Sequence, residues 1–152
     1  MESNAGEYSF TGVKVMVIDD SKTIRRTAEI ILQKAGCEVI AASDGFESLA
    51  KIVDHAPDII FCDIMMPRLD GYQTCALIKH NLVFQRTPLI MLSSKDGLFD
   101  KAKGRLVGAE EYLTKPFTGE ELLEAVKRHV RRGQGTAEQA GIEGEELVLT
   151  GL

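Results

Sequence analysis

The sequence predicts an α/β protein: one (βα)5 domain whose parallel sheet is covered by helices on both faces. Three observations predict it. Short apolar, β-rich runs recur along the chain, and stretches of helical length with amphipathic spacing separate them. Parallel strands joined by helices need right-handed crossovers, which leave helices on both sides of the sheet. Finally, Asp19-Asp20, Asp63 and Lys115-Pro116 each stand just past an apolar run. That is the carboxyl edge of a parallel sheet, where open α/β folds bind ligands.

The first strand is Val13–Ile18. A helix follows from about Ser21 to Ala35, with Ser21 as N-cap, Gly36 as the residue that stops it, and Ile24, Ala28, Ile31, Leu32 and Ala35 as its apolar stripe. Cys37–Ala42 is the second strand and Gly45–His55 the second helix. Asp58–Cys62 is the third strand, and Met65–Gly71 a loop with the turn pair Asp70-Gly71 before a helix through Lys79. The Thr87-Pro88 break precedes the fourth strand, Leu89–Leu92. The fourth helix, Leu98–Val107, is weakened by Gly104, at about 1 kcal/mol relative to Ala. Glu111–Thr114 is the fifth strand, and Thr118 with Glu121 forms a capping box for a last helix reaching Arg131.

The 152 residues suit one domain with a substantial core, and 44% hydrophobic with 27% charged residues is an ordinary globular composition. The net charge of −5 lies in the ends: residues 1–12 and 133–152 hold six Glu and no Lys or Arg, leaving 18 basic against 17 acidic residues between them. Without a basic stripe, no nucleic-acid partner is expected. No apolar run approaches the ~20 residues of a membrane span, so membrane insertion is not expected and the address is cytoplasmic. Residues 1–12 read as a flexible N-terminal segment, 13–132 as the folded domain, and 133–152 as an acidic flexible tail whose Leu147–Leu149 could dock or fray. The three cysteines, Cys37, Cys62 and Cys75, read as buried reduced thiols, and His55, His80 and His129 as surface residues. With no residues forming an output domain, output is expected through a partner that binds the domain's own surface.

Three carboxylates and an ammonium gathered at one sheet edge point to a divalent cation and phosphoryl chemistry. Singly, each residue has a duller reading: the Asp pair as a helix cap, Ser93 as a strand end, Lys115 as a loop residue, Asp70-Gly71 as a turn. Their conjunction, with Met66-Pro67, Ser93-Ser94 and Lys115-Pro116-Phe117 in order, resembles the response-regulator receiver domain, CheY-like, over about 13–132. Within that family, segments 17–26, 63–74 and 92–104 are most similar to the stand-alone regulators of type IV pilus twitching motility.

The resemblance implies a flavodoxin-like sheet of order 2-1-3-4-5, with Asp63 as phosphoacceptor from a CheA-like histidine kinase. It implies Mg2+ held by Asp20 and Asp63, by Asp19 through water, and by the Met65 backbone carbonyl. Lys115 and Ser93 would contact the phosphoryl oxygens, Ser93 and Tyr112 would form the switch, and the Lys115-Pro116 bond would be cis. A pilus-motility protein is the downstream partner implied, and the regulator is expected to be a monomer. Lys95, Lys101, Lys103 and Arg105 give the region of the fourth helix a basic cast, which an ordinary solvated face would share. Ile30, with Thr23 and Thr27, is either a kinase-docking surface or part of a wider buried face. A phosphorelay intermediate and a flagellar chemotaxis regulator are alternatives within signalling. An aspartate-nucleophile phosphatase would want Asp-x-Asp where this chain has Asp19-Asp20-Ser21, and a flavin carrier would want a Ser/Thr/Gly-rich loop at 19–23 and more aromatics.

Overall fold

The computed structural model describes residues 8–94 and 98–140, with side chains described over 8–94 and 101–130. Five strands alternate with five helices: β1 (Lys14–Ile18), α1 (Lys22–Lys34), β2 (Glu38–Ala42), α2 (Gly45–His55), β3 (Ile59–Asp63), α3 (Gly71–His80), β4 (Leu89–Ser93), α4 (Leu98–Leu106), β5 (Glu111–Thr114) and α5 (Gly119–Ala140). All strand pairs are parallel, and the sheet order is β2-β1-β3-β4-β5. The order reverses beside β1, so the crevice between the ends of β1 and β3 is the topological switch point.

Alternation along the strands divides the core in two. Val15, Val17, Phe61, Ile90 and Leu92 pack toward α1 and α5, with Leu32, Leu122 and Val126. Met16, Ile18, Ile60, Cys62 and Met91 pack toward α2, α3 and α4, with Ile52, Cys75 and Ile78. Every residue of β3 and β4 is buried, as strands covered on both faces must be.

Local chemistry sets the element ends. The Ser21 hydroxyl accepts from Ile24 N–H, and Gly36 at φ +99° ends α1. A left-handed φ of that kind favours glycine, the one residue without a Cβ. Thr118 and Glu121 form the expected reciprocal cap of α5. Asp70 and Gln73 form a second capping box at α3, so Asp70-Gly71 is a helix start and not a free turn.

Four expectations need correction. Residues 8–12 are not loose: Tyr8 is buried and donates to Glu124 Oε2 at 2.6 Å, and Phe10 N–H donates to Ala35 O. The polar composition around them hid these two aromatic anchors. The last helix continues past Arg131 to Ala140, running through Gly133 and Gly135, which weaken a helix without ending it. His129 is not a surface residue: it is 7% exposed, with Nε2 2.5 Å from Glu111 Oε1. Cys37 precedes β2 instead of opening it, although all three thiols are free and buried as expected. Burial raises the Cys37 pKa to about 11 and that of Cys75 to about 12, which makes both poor nucleophiles. Residues 1–7, Lys95 and the Leu147–Leu149 segment lie outside the described residues.

Candidate functional site

The strand ends bring Asp19, Asp20 and Asp63 together: one carboxylate oxygen from each lies within 4.8 Å of the others. Register explains the meeting. β1 and β3 pair through Ile18 and Cys62, so the next residue on each chain emerges at the same edge. Asp19 is fully buried, Asp63 is 4% exposed and Asp20 faces solvent. A set of hard oxygen donors with one open side suits a hard divalent cation that keeps part of its water shell.

Lys115 enters the same pocket from β5. Its Nζ lies 3.0 Å from Asp63 Oδ1 and 3.1 Å from Asp19 Oδ2. The Lys115-Pro116 bond is cis, and Lys115 N–H donates to Ser93 O at 2.5 Å. Ser93 is buried at the end of β4, which pairs with β3 through Asp63 and Leu92. The sequence-predicted residues Asp19, Asp20, Asp63, Ser93 and Lys115 therefore converge on one sheet edge. Met65 follows Asp63 by two residues and is 74% exposed.

Electrostatics are frustrated here. Burial, and then the charge of Asp19, push the Asp63 pKa up to about 6 against the opposing pull of Lys115. For Lys115, burial alone would lower the pKa, but the hydrogen bond to Asp63 and the charges of Asp19 and Asp63 outweigh it and hold the pKa above the ordinary value. One ammonium thus pairs with two of the three clustered carboxylates, and a cation would complete the balance.

Three contributors were not visible in the sequence. Arg25 Nη1 donates to the Asp19 carbonyl at 2.6 Å, and Ser21 N–H donates to Asp19 Oδ1 at 2.9 Å, fixing the β1–α1 turn. Gly71 packs on the backbone behind the site: a Cβ there would stand 2.2 Å from Asp63 O. The proposed switch residue Tyr112 is half-buried on β5, with Lys101 Nζ 5.4 Å from its ring centroid. Beside it a cavity of about 380 Å3 opens between α4 and β5, lined by Met91, Lys101, Gly104, Arg105 and Thr114 among others. Ile30 is 41% exposed and Thr23 and Thr27 face solvent, so the wider buried face considered for α1 does not exist.

A doubly wound parallel sheet with an acidic pocket and a partly buried lysine at its switch point is the architecture of a class of signalling domain. The chain belongs to the response regulator receiver domain family, whose model matches residues 15–127. It is 73% identical to Protein PilG of Pseudomonas aeruginosa over 124 residues, covering 82% of this chain and 92% of that protein. It is 38% identical over 135 residues to the alkaline phosphatase synthesis transcriptional regulatory protein PhoP of Bacillus subtilis, spanning 88% of this chain and 55% of PhoP. The chemotaxis protein CheY4 of Vibrio cholerae superposes with a TM-score of 0.75 at 37% identity, covering 77% of this chain and 98% of that one. Receiver domains bind Mg2+ at an acidic pocket, and membership implies a histidine kinase as phosphodonor and a downstream partner. Among the described residues no helix is long and apolar enough to cross a membrane.

Proposed function

We propose that the chain is a stand-alone two-component response regulator, with 13–132 as its receiver and Asp63 as its phosphoacceptor. The observation that carries this is the Lys115 ammonium shared by Asp19 and Asp63 in a pocket of three carboxylates. An Asp63 carboxylate oxygen attacks the phosphorus of a kinase phosphohistidine, the P–N bond breaks, and the imidazole leaves with the electron pair. Asp19, Asp20, Asp63 and the Met65 carbonyl are the residues that would hold Mg2+, which neutralises phosphoryl charge when bound. Lys115 and the Ser93 hydroxyl contact the transferred oxygens, so positioning and electrostatics carry the step.

Phosphorylation adds charge and acceptor oxygens at Asp63. Ser93 moves toward them and Tyr112 turns inward behind it, changing the α4–β5 surface that the output partner reads. Ile30, Thr23 and Thr27 form the surface for the kinase's phosphodonor domain. The likeness to PilG supports a role in type IV pilus twitching motility, with a CheA-like kinase, a cytoplasmic location and a pilus-machinery partner.

The test is transfer from a radiolabelled phosphorylated kinase. The wild-type protein is expected to gain an acid-stable, base-labile phosphate, Asp63→Ala to gain none while keeping its circular dichroism, and the Asp63→Ala strain to lose surface motility. Label retained by the folded Asp63→Ala protein would remove Asp63 as the acceptor.

A further inference from the structure

Helix α2 has two apolar faces, and only one is buried. Gly45, Ser48 and Ile52 face the core. Phe46, Ala50 and Val53 follow the i, i+4, i+7 spacing of a helix-packing stripe, yet Phe46 is 53% and Val53 68% exposed, and Ala50 faces solvent. Together the three side chains form one continuous apolar stripe, and contiguous exposed apolar surface is what marks an interaction site. Charges border the stripe. On one flank Glu47 and Lys51 pair at 3.0 Å, with side chains 37% and 38% exposed, and Lys51 Nζ also donates to Ala41 O of the edge strand β2. On the other, the Arg68 guanidinium lies 5.6 Å from the centroid of the Phe46 ring.

We propose that this stripe is where two copies of the chain meet, α2 lying antiparallel to α2 of the second copy about a two-fold axis beside Leu49 and Ala50. The charge pattern selects both the occupant and its direction. In an antiparallel helix pair, residues on the same flank oppose each other. Phe46 then lies against the second copy's Val53, and Glu47 against its Lys51, twice over because the contact is isologous. A parallel two-fold pair would instead set this flank against the opposite one, so Glu47 and Lys51 of the two copies would not meet. Small Ala50 at the crossing lets the two backbones approach. A single helix face buries well below the ~1,600 Å2 of a standard interface, so the dimer is weak and forms as concentration rises.

Sedimentation velocity of the full chain from about 20 μM to about 1 mM reads this directly. The wild-type sedimentation coefficient is expected to climb toward a dimer value, while Val53→Glu stays monomeric with an unchanged melting curve, a dimer Kd at least about tenfold weaker. Val53 is exposed, so the charge has no core to disturb. Independently, Ala50→Cys at the axis is expected to form a disulfide-linked dimer under mild oxidation, whereas Thr27→Cys on exposed α1 does not; the three native thiols are buried. A wild-type monomer throughout the range, association unaffected by Val53→Glu, or equal cross-linking at both engineered positions would each overturn the proposal.

Discussion

Asp63 sits where an ionised carboxylate is hardest to keep, 4% exposed beside a second buried carboxylate. Burial and Asp19 raise its pKa from 3.8 to about 6, so the folded state holds its proton more tightly than the unfolded chain does. The contribution to stability is therefore complete below pH 3.8 and is lost as pH rises through about 6. At most about 3 kcal/mol is at stake. Asn mimics the protonated acid, so without Mg2+ Asp63→Asn is expected to gain stability over wild type progressively between these limits in urea melts. A difference that stays flat with pH would contradict the electrostatic account. Gly71 makes a sharper case. Its missing Cβ would meet Asp63 O at 2.2 Å and Ile64 Cα at 2.7 Å, both backbone atoms that cannot swing aside. Gly71→Ala is expected to destabilise the fold by about 3 kcal/mol and to displace Asp63, measured as a lowered melting temperature together with lost phosphorylation. Little of this was legible in the sequence. Asp70-Gly71 read as a turn because local pattern reports chain direction, whereas the close approach of α3 to the end of β3 exists only once the sheet is assembled.

Elements whose ends are set by local chemistry were readable: α2 and β5 match their expected spans, and the caps at Ser21 and Thr118 form as anticipated. Readability failed where tertiary contacts decide. Tyr8 is anchored by Glu124 and His129 by Glu111, across 116 and 18 residues respectively, distances over which periodicity carries no information. Helix α4 illustrates the same division. Gly104 marks it as weak from sequence alone, and the structure adds that Gly104 faces Met91 with room to spare: an added Cβ would stand 3.7 Å from Met91 Cγ and 3.9 Å from Ala109 Cβ, ordinary van der Waals contacts. Space therefore does not demand the glycine. Gly104→Ala is expected to stabilise the protein by about 0.5–1 kcal/mol, seen as a higher melting temperature. If α4 is the element that phosphorylation shifts, the same substitution should also weaken partner binding after phosphorylation by making the helix harder to move. A lower melting temperature would mean that the glycine serves packing after all.

At the scale of the molecule, the sheet places three acids at one end, and one lysine only partly offsets them. A cation that binds this pocket in the folded state and finds no such pocket in the unfolded chain must stabilise the whole domain by mass action. Because β1, β3 and β5 all contribute to the pocket, the effect should appear as a shift of one cooperative transition and not as local tightening. At ten times its Kd the gain is about 1.4 kcal/mol, a rise of several degrees in melting temperature for a domain of this size. Asp20 is the useful probe because it is exposed and lies outside the core. Asp20→Ala is expected to leave the metal-free melting curve nearly unchanged or slightly raised, since it removes like charge near Asp19 and Asp63, and to abolish most of the response to Mg2+. Calorimetric scans of both proteins with EDTA and with millimolar Mg2+ separate the two effects. Superimposable wild-type scans at saturating Mg2+, or an undiminished shift in Asp20→Ala, would mean that these carboxylates do not hold the ion and that the charge of Asp63 must be balanced in another way.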